Sequence, residues 1–464
     1  MYNAYITEIK NIRRHPNADR LDLGDCFGNT VCISHGEFAE GDLAVYFPTD
    51  GQLSEEFCQV HDLVRRKDDA GNQCGGYLEP GKRNIRAIRL RGEKSDGLVM
   101  PLHCLEYTGV DINTLEAGFA FTAINGKEIC CKYIPRSNRR GQSCNAGNRT
   151  RKKKAPVAPL FVEHADTEQL AYNLSAFKPG DEIEITLKMH GTSGRTARLP
   201  VLKGYHRTLW DKILRREGTP IYEDGYVSGT RRVVLENYEG GFYGDNSFRE
   251  KHSKFFEGKL MKGETVYYEI VGFTDSGAPI MGDGNNEKVG KDFVAQYGKT
   301  TTFSYGCYPT GKKKMFGNDD IGEFHIEVDA PRSEIYVYRM TMTNEDGFVV
   351  EYTPDFMRYR CEQMGVKCVK LFKKFIIPIN AITRAYQDPG DYVLERAEEF
   401  YDGPDPVGKT HVREGIVVRI INRPKFTAYK HKNFNFKCIS GIIAEKTAES
   451  AAADNLSEDI LSEM

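Results

Sequence analysis

A run of basic residues divides this chain into two parts of different character. The nineteen residues 136–154, RSNRRGQSCNAGNRTRKKK, contain eight Lys or Arg and no acidic residue, and APVAP follows them. Such a run cannot bury its charges in a core, so it is typical of a solvent-exposed linker. The sequence therefore predicts a domain boundary with a basic linker over 136–158. This linker is either a solvated tether or an arm that binds phosphates.

The part before the linker, residues 1–135, has the pattern of a small β domain. Short apolar stretches such as NTVCISH and DLAVYFP are separated by Asn, Gly, Asp and Pro, which favour turns. Many short strands with little helix predict a small barrel of the OB-like kind. Its basic stretch 83–94, RNIRAIRLRGEK, is a candidate contact for nucleic-acid phosphates, although a solvated sheet edge has the same composition.

The part after the linker, residues 159–443, mixes strand and helix patterns, while residues 444–464 form an acidic tail. Alternating apolar and polar residues predict strands, and apolar residues at helical spacing predict helices. Together they predict an α+β domain of antiparallel sheets with flanking helices. The predicted strands are 181–188, 195–199, 225–235, 265–273, 334–342, 347–352 and 414–421. The predicted helices are 355–365, 390–401 and a short one in HADTEQLAYNL that begins at Asp166 or Thr167.

Composition limits the classes of function that the chain can have. The net charge of its 464 residues is −2, so any binding of nucleic acid must come from local basic patches. No apolar run is long enough to span a bilayer, and the N-terminus lacks the apolar centre of a signal peptide. The twelve cysteines are scattered, which predicts free thiols in a reducing compartment. These features predict a cytoplasmic protein that has no membrane partner. We also expect a monomer of viral or bacterial origin.

The clearest chemical signal is EITLKMHGTSGR, residues 184–195, where a predicted strand runs into a turn with two glycines. The backbone N–H groups of such a turn suit a phosphate. The stretch is not a Walker GxxxxGK[ST] loop, which argues against ordinary NTPase chemistry. Lys188 is instead a candidate nucleophile, for which its amine must be neutral although a free lysine has a pKa of about 10.4. A divalent cation that also neutralises a triphosphate would favour the neutral form.

Four later stretches form a pattern when they are taken in order. TVYYEIVGF places Glu269 in an apolar strand, where an unpaired carboxylate is costly. EIYVYRM places two tyrosines, the second being Tyr338, where a ring can stack on a base. REGIVVRI places Glu414 at the start of another apolar strand. YKHKNFNFKCIS supplies Lys430, Lys432 and Lys437. Each stretch alone has an ordinary structural explanation, so it is their order that indicates a function.

In that order the stretches resemble the motifs of the covalent nucleotidyltransferase superfamily, which contains ATP-dependent RNA and DNA ligases and mRNA capping enzymes. KMHG is similar to motif I, YYEIVG to motif III, IYVYRM to motif IIIa and EGIVVR to motif IV. HPNADRLDL, GEFAEGDLAVYFPTDGQL and RNIRAIRLRGEKSDGLVMPL resemble the OB-like domain of RNA ligase family five, and FVEHADTEQL and YVSGTRRVVLEN resemble its catalytic domain. The resemblance implies an N-terminal OB-like β-barrel followed by an ATP-grasp-like nucleotidyltransferase domain over 159–443.

The resemblance implies an RNA ligase that joins a 3′-hydroxyl RNA end to a 5′-phosphate end, with a nicked duplex as its substrate. Lys188 would attack the α-phosphate of ATP, expel pyrophosphate and hold AMP covalently. The AMP would then pass to the 5′-phosphate, and attack by the 3′-hydroxyl would release it. Nucleic acid is therefore the implied partner, and ATP with Mg²⁺ or Mn²⁺ the implied cofactors.

The resemblance also implies a role for each site residue. Glu269 would bind the ribose hydroxyls, Tyr338 would stack on adenine, and Glu414 would help to hold the metal ion. Arg195 and Arg231 would contact phosphates of the nucleic acid. The full set of implied nucleotide-binding residues is His190, Gly191, Glu269, Tyr338, Glu414, Lys432 and Lys437.

Two stretches depart from the superfamily pattern. Motif V has two lysines one residue apart, which Lys430 and Lys432 supply, whereas the context FNFKCIS favours Lys437 as the lysine that contacts the α-phosphate. Residues 201–224 are predicted to be an inserted helix and loop; they contain the only tryptophan and have no implied role. YPTGKKKMFGN is predicted to be a basic loop that either contacts nucleic acid or is solvated.

Two alternative functions are set against RNA ligation. DNA ligases and guanylyltransferases carry their OB domain after the catalytic domain, whereas here it comes first. An RNA-binding OB protein with an inactive ligase domain is the second alternative, since HPNADRLDLGDC also resembles tRNA-binding OB domains. An inactive domain should have lost Lys188, Glu269 or Glu414, and all three are present. Whether the 5′-phosphate strand is RNA or DNA, as in a nicked RNA/DNA hybrid, stays open.

Overall fold

The chain forms two units whose internal contacts are dense. The computed structural model describes residues 2–68, 70–134, 155–164, 167–214, 216, 218–235, 238, 246–309, 312–316, 325–329, 331–379 and 388–440. The first unit comprises Met1–Pro135, Gly284–Thr301 and Lys432–Lys446, and the second comprises Arg136–Asp283, Thr302–His431 and Thr447–Met464. Each predicted domain is one continuous stretch of the chain, whereas each of these units contains segments that are separated in sequence. The predicted boundaries stay a prediction. Most of the predicted linker, and the acidic tail, lie outside the described residues.

Short strands are the main regular structure of the chain up to residue 134. They are β1 (Ala4–Glu8), β2 (Lys10–Arg14), β3 (Leu21–Cys26), β4 (Asn29–Ser34), β5 (Leu43–Phe47), β6 (Gly51–Leu53), β7 (Arg65–Lys67), β8 (Gln73–Gly75), β9 (Ala87–Leu90), β10 (Glu93–Asp96), β11 (Leu98–Pro101), β12 (Ala120–Phe121), β13 (Ala123–Ile124), β14 (Lys127–Glu128) and β15 (Cys130–Lys132). Helix α1 spans Glu55–Val60, and two 3-10 helices span Leu102–Thr108 and Ile112–Thr114.

The first unit is built from small antiparallel sheets around one apolar core. The largest sheet has four strands in the order β11-β5-β1-β12, and a second has the order β2-β3-β4. Ala4 and Ile6 alternate along β1 toward the core, while β5 is buried along most of its length. Phe57 of α1 packs into the same core. The Ser54 hydroxyl accepts from the Phe57 N–H at the start of α1. This cap and the burial of the Phe57 ring together hold the start of the helix in place.

The strands after residue 155 are longer. They are β16 (Glu168–Gln169), β17 (Glu182–Lys188), β18 (Thr192–His206), β19 (Thr219–Gly229), β20 (Glu264–Gly272), β21 (Gly284–Asn285), β22 (Thr300–Thr301), β23 (Lys312–Phe316), β24 (His325–Asp329), β25 (Ser333–Thr343), β26 (Val349–Glu351), β27 (Lys367–Cys368), β28 (Leu371–Ile376), β29 (Gly415–Ile420) and β30 (Thr427–Lys432). The helices are α2 (Leu209–Ile213), α3 (Ser247–Lys254), α4 (Lys291–Tyr297), α5 (Pro354–Met364) and α6 (Pro389–Tyr401). Short 3-10 helices span Leu170–Tyr172, Leu174–Ala176 and Asn286–Lys288.

Two large sheets and the two-stranded sheet of β23 and β24 lie in the second unit. One large sheet has the order β19-β18-β20-β25-β26, with β27 also paired to β25, and the other has the order β16-β30-β29-β17-β28. Apolar residues of β17 and β29 form a core with the inner face of α6, from which Val393 and Ala397 are fully buried. Since motif I ends β17 and motif IV begins β29, this core holds both motifs in place.

The structure confirms most of the predicted strands and helices of the second part. The strands predicted at 181–188, 265–273, 334–342 and 414–421 and the helices at 355–365 and 390–401 are observed within one or two residues. The prediction for 225–235 is wrong beyond Gly229, where the chain leaves the sheet and bends. The helix predicted in HADTEQLAYNL is also wrong, because Glu168 and Gln169 pair with β30 and only 3-10 turns follow.

The two unassigned stretches also differ from their predicted form. Residues 201–224 are strand at both ends: β18 continues to His206, β19 begins at Thr219, and helix α2 lies between them. Two long strands that pair along their whole length satisfy each other's backbone groups even where their side chains are polar. The predicted basic loop contains strand β23, which pairs with β24.

Candidate active site

Strand register brings Lys188 and Glu414 together. In the antiparallel pair of β17 and β29, Lys188 is opposite Gly415, so Glu414 lies beside the end of β17. The Lys188 ammonium donates to Glu414 Oε1 at 2.7 Å. The side chain of Glu414 is 4% exposed and that of Lys188 is 24% exposed, so the carboxylate is enclosed while the lysine remains accessible.

The turn after Lys188 lies directly on strand β20. A Cβ atom added to Gly191 would lie 2.9 Å from Glu269 Cγ and closer still to the Ile270 carbonyl oxygen. A Cβ added to Gly194 would meet the Tyr268 ring. Only glycine permits this approach of the two backbones, so Gly191 in the turn and Gly194 in strand β18 are what place Lys188 near Glu269. The predicted turn therefore contains one glycine, because β18 begins before Gly194.

His190 supports the turn from within. Its backbone N–H donates to the Tyr305 hydroxyl at 2.7 Å, and its ring lies edge-on to Phe303 with 4.6 Å between centroids. His190 Nδ1 lies 3.9 Å from Glu414 Oε2. Because His190 is only 8% exposed, it is placed to hold Glu414 and the turn in position.

Glu269 is the most perturbed carboxylate of the site. Burial raises the pKa of Glu269 to about 7, while Lys188 and Arg231 act in the opposite direction. Among the residues that the structure describes, no side chain or backbone group forms a hydrogen bond or ion pair with this carboxylate. A partly buried carboxylate without a partner is costly. It is therefore a candidate acceptor for hydroxyl groups of a ligand.

Tyr338 lies at a β-bulge beside Glu269. The pairing of β20 with β25 passes from Tyr267–Arg339 to Tyr268–Val337, which leaves Tyr338 as the extra residue. Bulges redirect side chains next to functional sites. The pKa of Tyr338 is raised by burial and, further, by the nearby Glu269 carboxylate, so the ring and the carboxylate occupy the same site. The strict alternation that the sequence predicts for this strand does not hold here.

The two arginines predicted to contact phosphates lie in different environments. Arg195 is 1% exposed, and its guanidinium donates to the carbonyl oxygens of Thr230 at 2.8 Å and Arg232 at 3.3 Å. Those carbonyls flank Arg231, whose positive charge lowers the pKa of Glu269. The structure thus brings Arg231 to the site, whereas Arg195 holds the bend that carries Arg231. The geometry favours a positioning role for Arg195.

Arg249 is a site residue that the sequence did not reveal. From helix α3 its guanidinium donates to the Ser193 carbonyl oxygen at 2.9 Å and to the Thr192 hydroxyl. It therefore anchors the start of β18 directly after the motif I turn. Its neighbourhood, SFREKHSK, has the composition of a solvated helix, so no pattern in the sequence distinguishes it.

Two of the motif V candidates, Lys432 and Lys437, belong to the first unit, whereas Lys430 belongs to the second. Lys437 donates to Asp96 Oδ2 at 2.7 Å, and the two side chains are 14% and 7% exposed. Lys432 lies over the Phe436 ring at 5.9 Å. Arg89, which the sequence offers as a phosphate contact, donates to Asn435 Oδ1 at 3.0 Å. The segment after β30 is therefore fastened to strands β9 and β10.

The described residues contain neither a ready cluster of metal ligands nor a helix that could span a membrane. Within the described ranges, no cluster of three or more His, Cys, Asp or Glu side chains is arranged to hold a metal ion. No helix in the described part of the chain is long and apolar enough to cross a membrane.

Comparison with known proteins identifies the fold of the chain. Residues 3–102 match a family model described as an OB-fold domain, and a search of curated proteins finds no match. Solved structures of Naegleria gruberi RNA ligase are also similar to this chain, over nearly its whole length. Its complex with pyrophosphate is 17% identical with a TM-score of 0.52, covering 96% of this chain and 98% of that one.

Two lysine mutants of the same Naegleria enzyme are similar to this chain to the same degree. The lysine-to-methionine mutant with AMP and Mn is 16% identical with a TM-score of 0.52, covering 94% of this chain and 97% of that one. The lysine-to-alanine mutant with ATP and Mn is 15% identical with a TM-score of 0.51, covering 94% and 98%. The predicted fold class is confirmed: an N-terminal OB fold followed by an α+β domain with the antiparallel sheets of an RNA ligase.

Proposed function

We propose that this protein is an ATP-dependent RNA ligase that joins a 3′-hydroxyl RNA end to a 5′-phosphate end through a lysyl-AMP on Lys188. The observation that carries the proposal is the meeting of Lys188, Glu269 and Glu414. Three separate strands bring them together by register and by the close approach at Gly191. The fold alone would fit many functions, but this set of groups suits one chemistry.

The site has a suitable group for each part of ATP. The Glu269 carboxylate, which has no partner among the described residues, is a natural acceptor for two ribose hydroxyls. The Tyr338 ring beside it offers a face on which adenine can stack. The solved structures with ATP, AMP or pyrophosphate are of the Naegleria enzyme, and they support nucleotide use by this fold.

A divalent ion fits the chemistry of Glu414. Mg²⁺ and Mn²⁺ are bound through one or two carboxylates together with substrate phosphates, so a site with few protein ligands suits them. Glu414 would hold the ion from the protein side, as the Mn in the Naegleria structures supports. When bound, the ion neutralises charge on the phosphates and on the pyrophosphate that leaves.

The first step of the proposed reaction is carried by Lys188. Its nitrogen forms a bond to the α-phosphorus of ATP while the bond from that phosphorus to the bridging oxygen breaks, and pyrophosphate leaves. The Lys188 ammonium donates to Glu414 Oε1 at 2.7 Å. With Glu414 bound to the divalent ion, this ion pair would be weakened, so the amine could lose its proton to water before it attacks. The backbone at Gly191 and the His190 support keep Lys188 in line with the phosphorus.

The later steps pass the AMP to the nucleic acid. An oxygen of the 5′-phosphate attacks the AMP phosphorus, which releases the Lys188 amine and leaves an adenylylated 5′-end. The 3′-hydroxyl then attacks the 5′-phosphorus, and AMP leaves as the phosphodiester forms. Arg231, which the Arg195 contacts hold beside Glu269, would stabilise negative charge on the 5′-phosphate in both steps.

A strand-composition experiment tests the substrate class. Nicked duplexes of four kinds, with RNA or DNA on the 3′-hydroxyl and 5′-phosphate sides, are incubated with ATP and Mg²⁺ or Mn²⁺. The proposal predicts sealing where the 3′-hydroxyl strand is RNA, and none by Lys188→Ala. Equal sealing of an all-DNA nick would contradict RNA specificity. The same series shows whether the 5′-phosphate strand can be DNA.

A further inference from the structure

A long β-hairpin begins and ends at the candidate site. Its first strand, β18, has 15 residues and starts just after the Lys188 turn, while its second strand, β19, ends two residues before Arg231. At about 3.3 Å per residue, β18 carries the chain up to about 45 Å from its first residue. The far end of the hairpin therefore lies well away from Lys188 and Arg231.

The far end of the hairpin presents four large apolar side chains to solvent. Leu209, Trp210, Ile213 and Leu214, here called the hairpin tip, are 77%, 72%, 69% and 53% exposed. Leu209 lies four residues before Ile213, and Trp210 lies four residues before Leu214, in or directly after helix α2. Side chains four residues apart lie on the same side of a helix. A capping box between Thr208 and Asp211 begins the helix, so the tip has a defined conformation.

The border of the hairpin tip is cationic. Arg207 precedes the helix, Arg216 follows it, and both are exposed. The Asp211 carboxylate accepts from the Thr208 hydroxyl at 2.6 Å and from the Thr208 backbone N–H at 3.0 Å. These hydrogen bonds and, to a smaller extent, the charge of Arg216 lower the pKa of Asp211. A partner that complements this surface must combine flat apolar groups with negative charge.

We propose that the hairpin tip binds the nucleic-acid substrate at a distance from the break, with Trp210 against an exposed base or base-pair edge and Arg207 and Arg216 near phosphates. Aromatic stacking with neighbouring cations is how proteins hold unpaired bases, and Leu and Ile side chains can wedge between base steps. The inference rests on the proposed function in one respect, namely that the substrate is nucleic acid.

The path of the hairpin favours nucleic acid over a membrane or a protein. Both of its strands leave from residues that are proposed to hold the reacting phosphates, so it can follow the strand that carries them. A reach of up to about 45 Å corresponds to about 13 base pairs at 3.4 Å each. The contact should therefore depend on the length of nucleic acid that flanks the nick.

Trp210 is the only tryptophan of the chain, so intrinsic tryptophan fluorescence reports on the hairpin tip alone. The protein is titrated with nicked duplexes that have flanks of about 20 or about 6 base pairs, a choice set by the 3.4 Å rise. We expect quenching by the long duplex and little by the short one. Unchanged emission with the long duplex, or a blue shift with vesicles of anionic phospholipid instead, would overturn the proposal.

Sealing kinetics supply the second measurement. Trp210→Ala should raise the KM for the long nicked duplex about tenfold, as expected for one lost stacking contact, and leave the short duplex unaffected. Trp210→Phe, which keeps an aromatic ring, should restore most of the loss. Self-adenylylation of both variants should equal that of the wild type. If the wild type forms lysyl-AMP while Trp210→Ala seals both duplexes normally, the tip proposal fails and the proposed function stands.

Discussion

At the scale of single residues, the site combines an exposed nucleophile with enclosed carboxylates. Lys188 is accessible, while Glu414 is enclosed and Glu269 is partly buried without a partner among the described residues. The Glu269 carboxylate is affected by charges from several elements: Lys188, Arg231 and Arg249 favour its ionised form, and Glu414 opposes it. Burial is the largest influence and raises its pKa to about 7.

Nucleotide affinity should therefore depend on pH through Glu269. The ionised carboxylate accepts from both ribose hydroxyls, whereas the protonated form loses an acceptor. Because burial raises the pKa to about 7, Glu269 is mostly protonated at pH 6 and mostly ionised at pH 8. We expect the affinity for ATP to rise up to about tenfold over this range. The measurement is calorimetric binding of ATP to Lys188→Arg, which cannot react but keeps the positive charge that lowers the pKa of Glu269.

A matched variant separates this effect from titration of the ATP phosphates. In the same background, Glu269→Gln keeps the size of the side chain but cannot ionise. The variant should retain only the pH dependence of ATP itself. Parallel curves for the two proteins would contradict the role of Glu269.

The two arginines should behave differently on substitution. Arg231→Ala should preserve self-adenylylation but lower the sealing rate about 100-fold, because a donor for the 5′-phosphate is lost. Arg195→Lys should instead lower the free energy of unfolding by about 3 kcal/mol, since a lysine cannot reach the several carbonyls that the guanidinium satisfies. Urea unfolding and the two activity assays distinguish these results. If Arg195→Lys were as stable as the wild type and defective only in sealing, the positioning role would be contradicted and a contact between Arg195 and a phosphate favoured.

At the scale of elements, the sequence predicted the strands but not their neighbours. Alternation of apolar and polar residues locates β17, and largely apolar runs locate β20, β25 and β29, which are buried along most of their length. Which strands pair, and in which register, depends on contacts between distant segments. The contact between Lys188 and Glu414 could therefore be inferred from the resemblance, but it could not be derived from the motif I or motif IV sequence alone. The bulge at Tyr338 and the support from Arg249 leave no local signal at all.

The Gly191 turn offers a test at this scale. Gly191→Ala should reduce self-adenylylation at least about 100-fold, because a Cβ would press on the Glu269 side chain and on the β20 backbone and move Lys188. Gly204→Ala is the matched control, since a Cβ at Gly204 of β18 meets no atom within 4 Å. Both variants should remain folded by circular dichroism. Full activity of Gly191→Ala would show that the close approach is not needed.

At the scale of the whole molecule, one late segment of the chain packs with the N-terminal part. Composition marks the basic linker clearly, yet the segment that contains Lys437 belongs with the first unit, through contacts with strands β9 and β10. No periodicity reveals this, because it depends on an ion pair between Asp96 and a residue more than three hundred positions later. The OB-fold domain thus supplies the partner of the predicted α-phosphate lysine.

The pairing of Lys437 with Asp96 complicates the usual mutational test. Lys437→Ala leaves a nearly buried carboxylate without its cation, which should lower the free energy of unfolding by about 3–5 kcal/mol. Loss of activity in that variant alone would be uninformative. The double variant Lys437→Met/Asp96→Leu replaces the ion pair with apolar groups and should recover most of the stability.

Self-adenylylation of the double variant then decides the role of Lys437. If Lys437 contacts the α-phosphate, as the resemblance implies, the stable double variant should remain inactive. Recovery of wild-type adenylylation together with stability would show that Lys437 serves only to hold its segment to Asp96.

The measurement that tests the central claim most directly is covalent labelling of Lys188. The wild type is first treated with pyrophosphate to remove any bound AMP, and then incubated with ATP labelled at the α-phosphate and with Mg²⁺ or Mn²⁺. Lys203→Ala, which removes an exposed lysine of β18, is the control beside Lys188→Ala. We predict label on the wild type and on Lys203→Ala and none on Lys188→Ala in a denaturing gel. An unlabelled wild type, or equal label on Lys188→Ala, would contradict the lysyl-AMP mechanism.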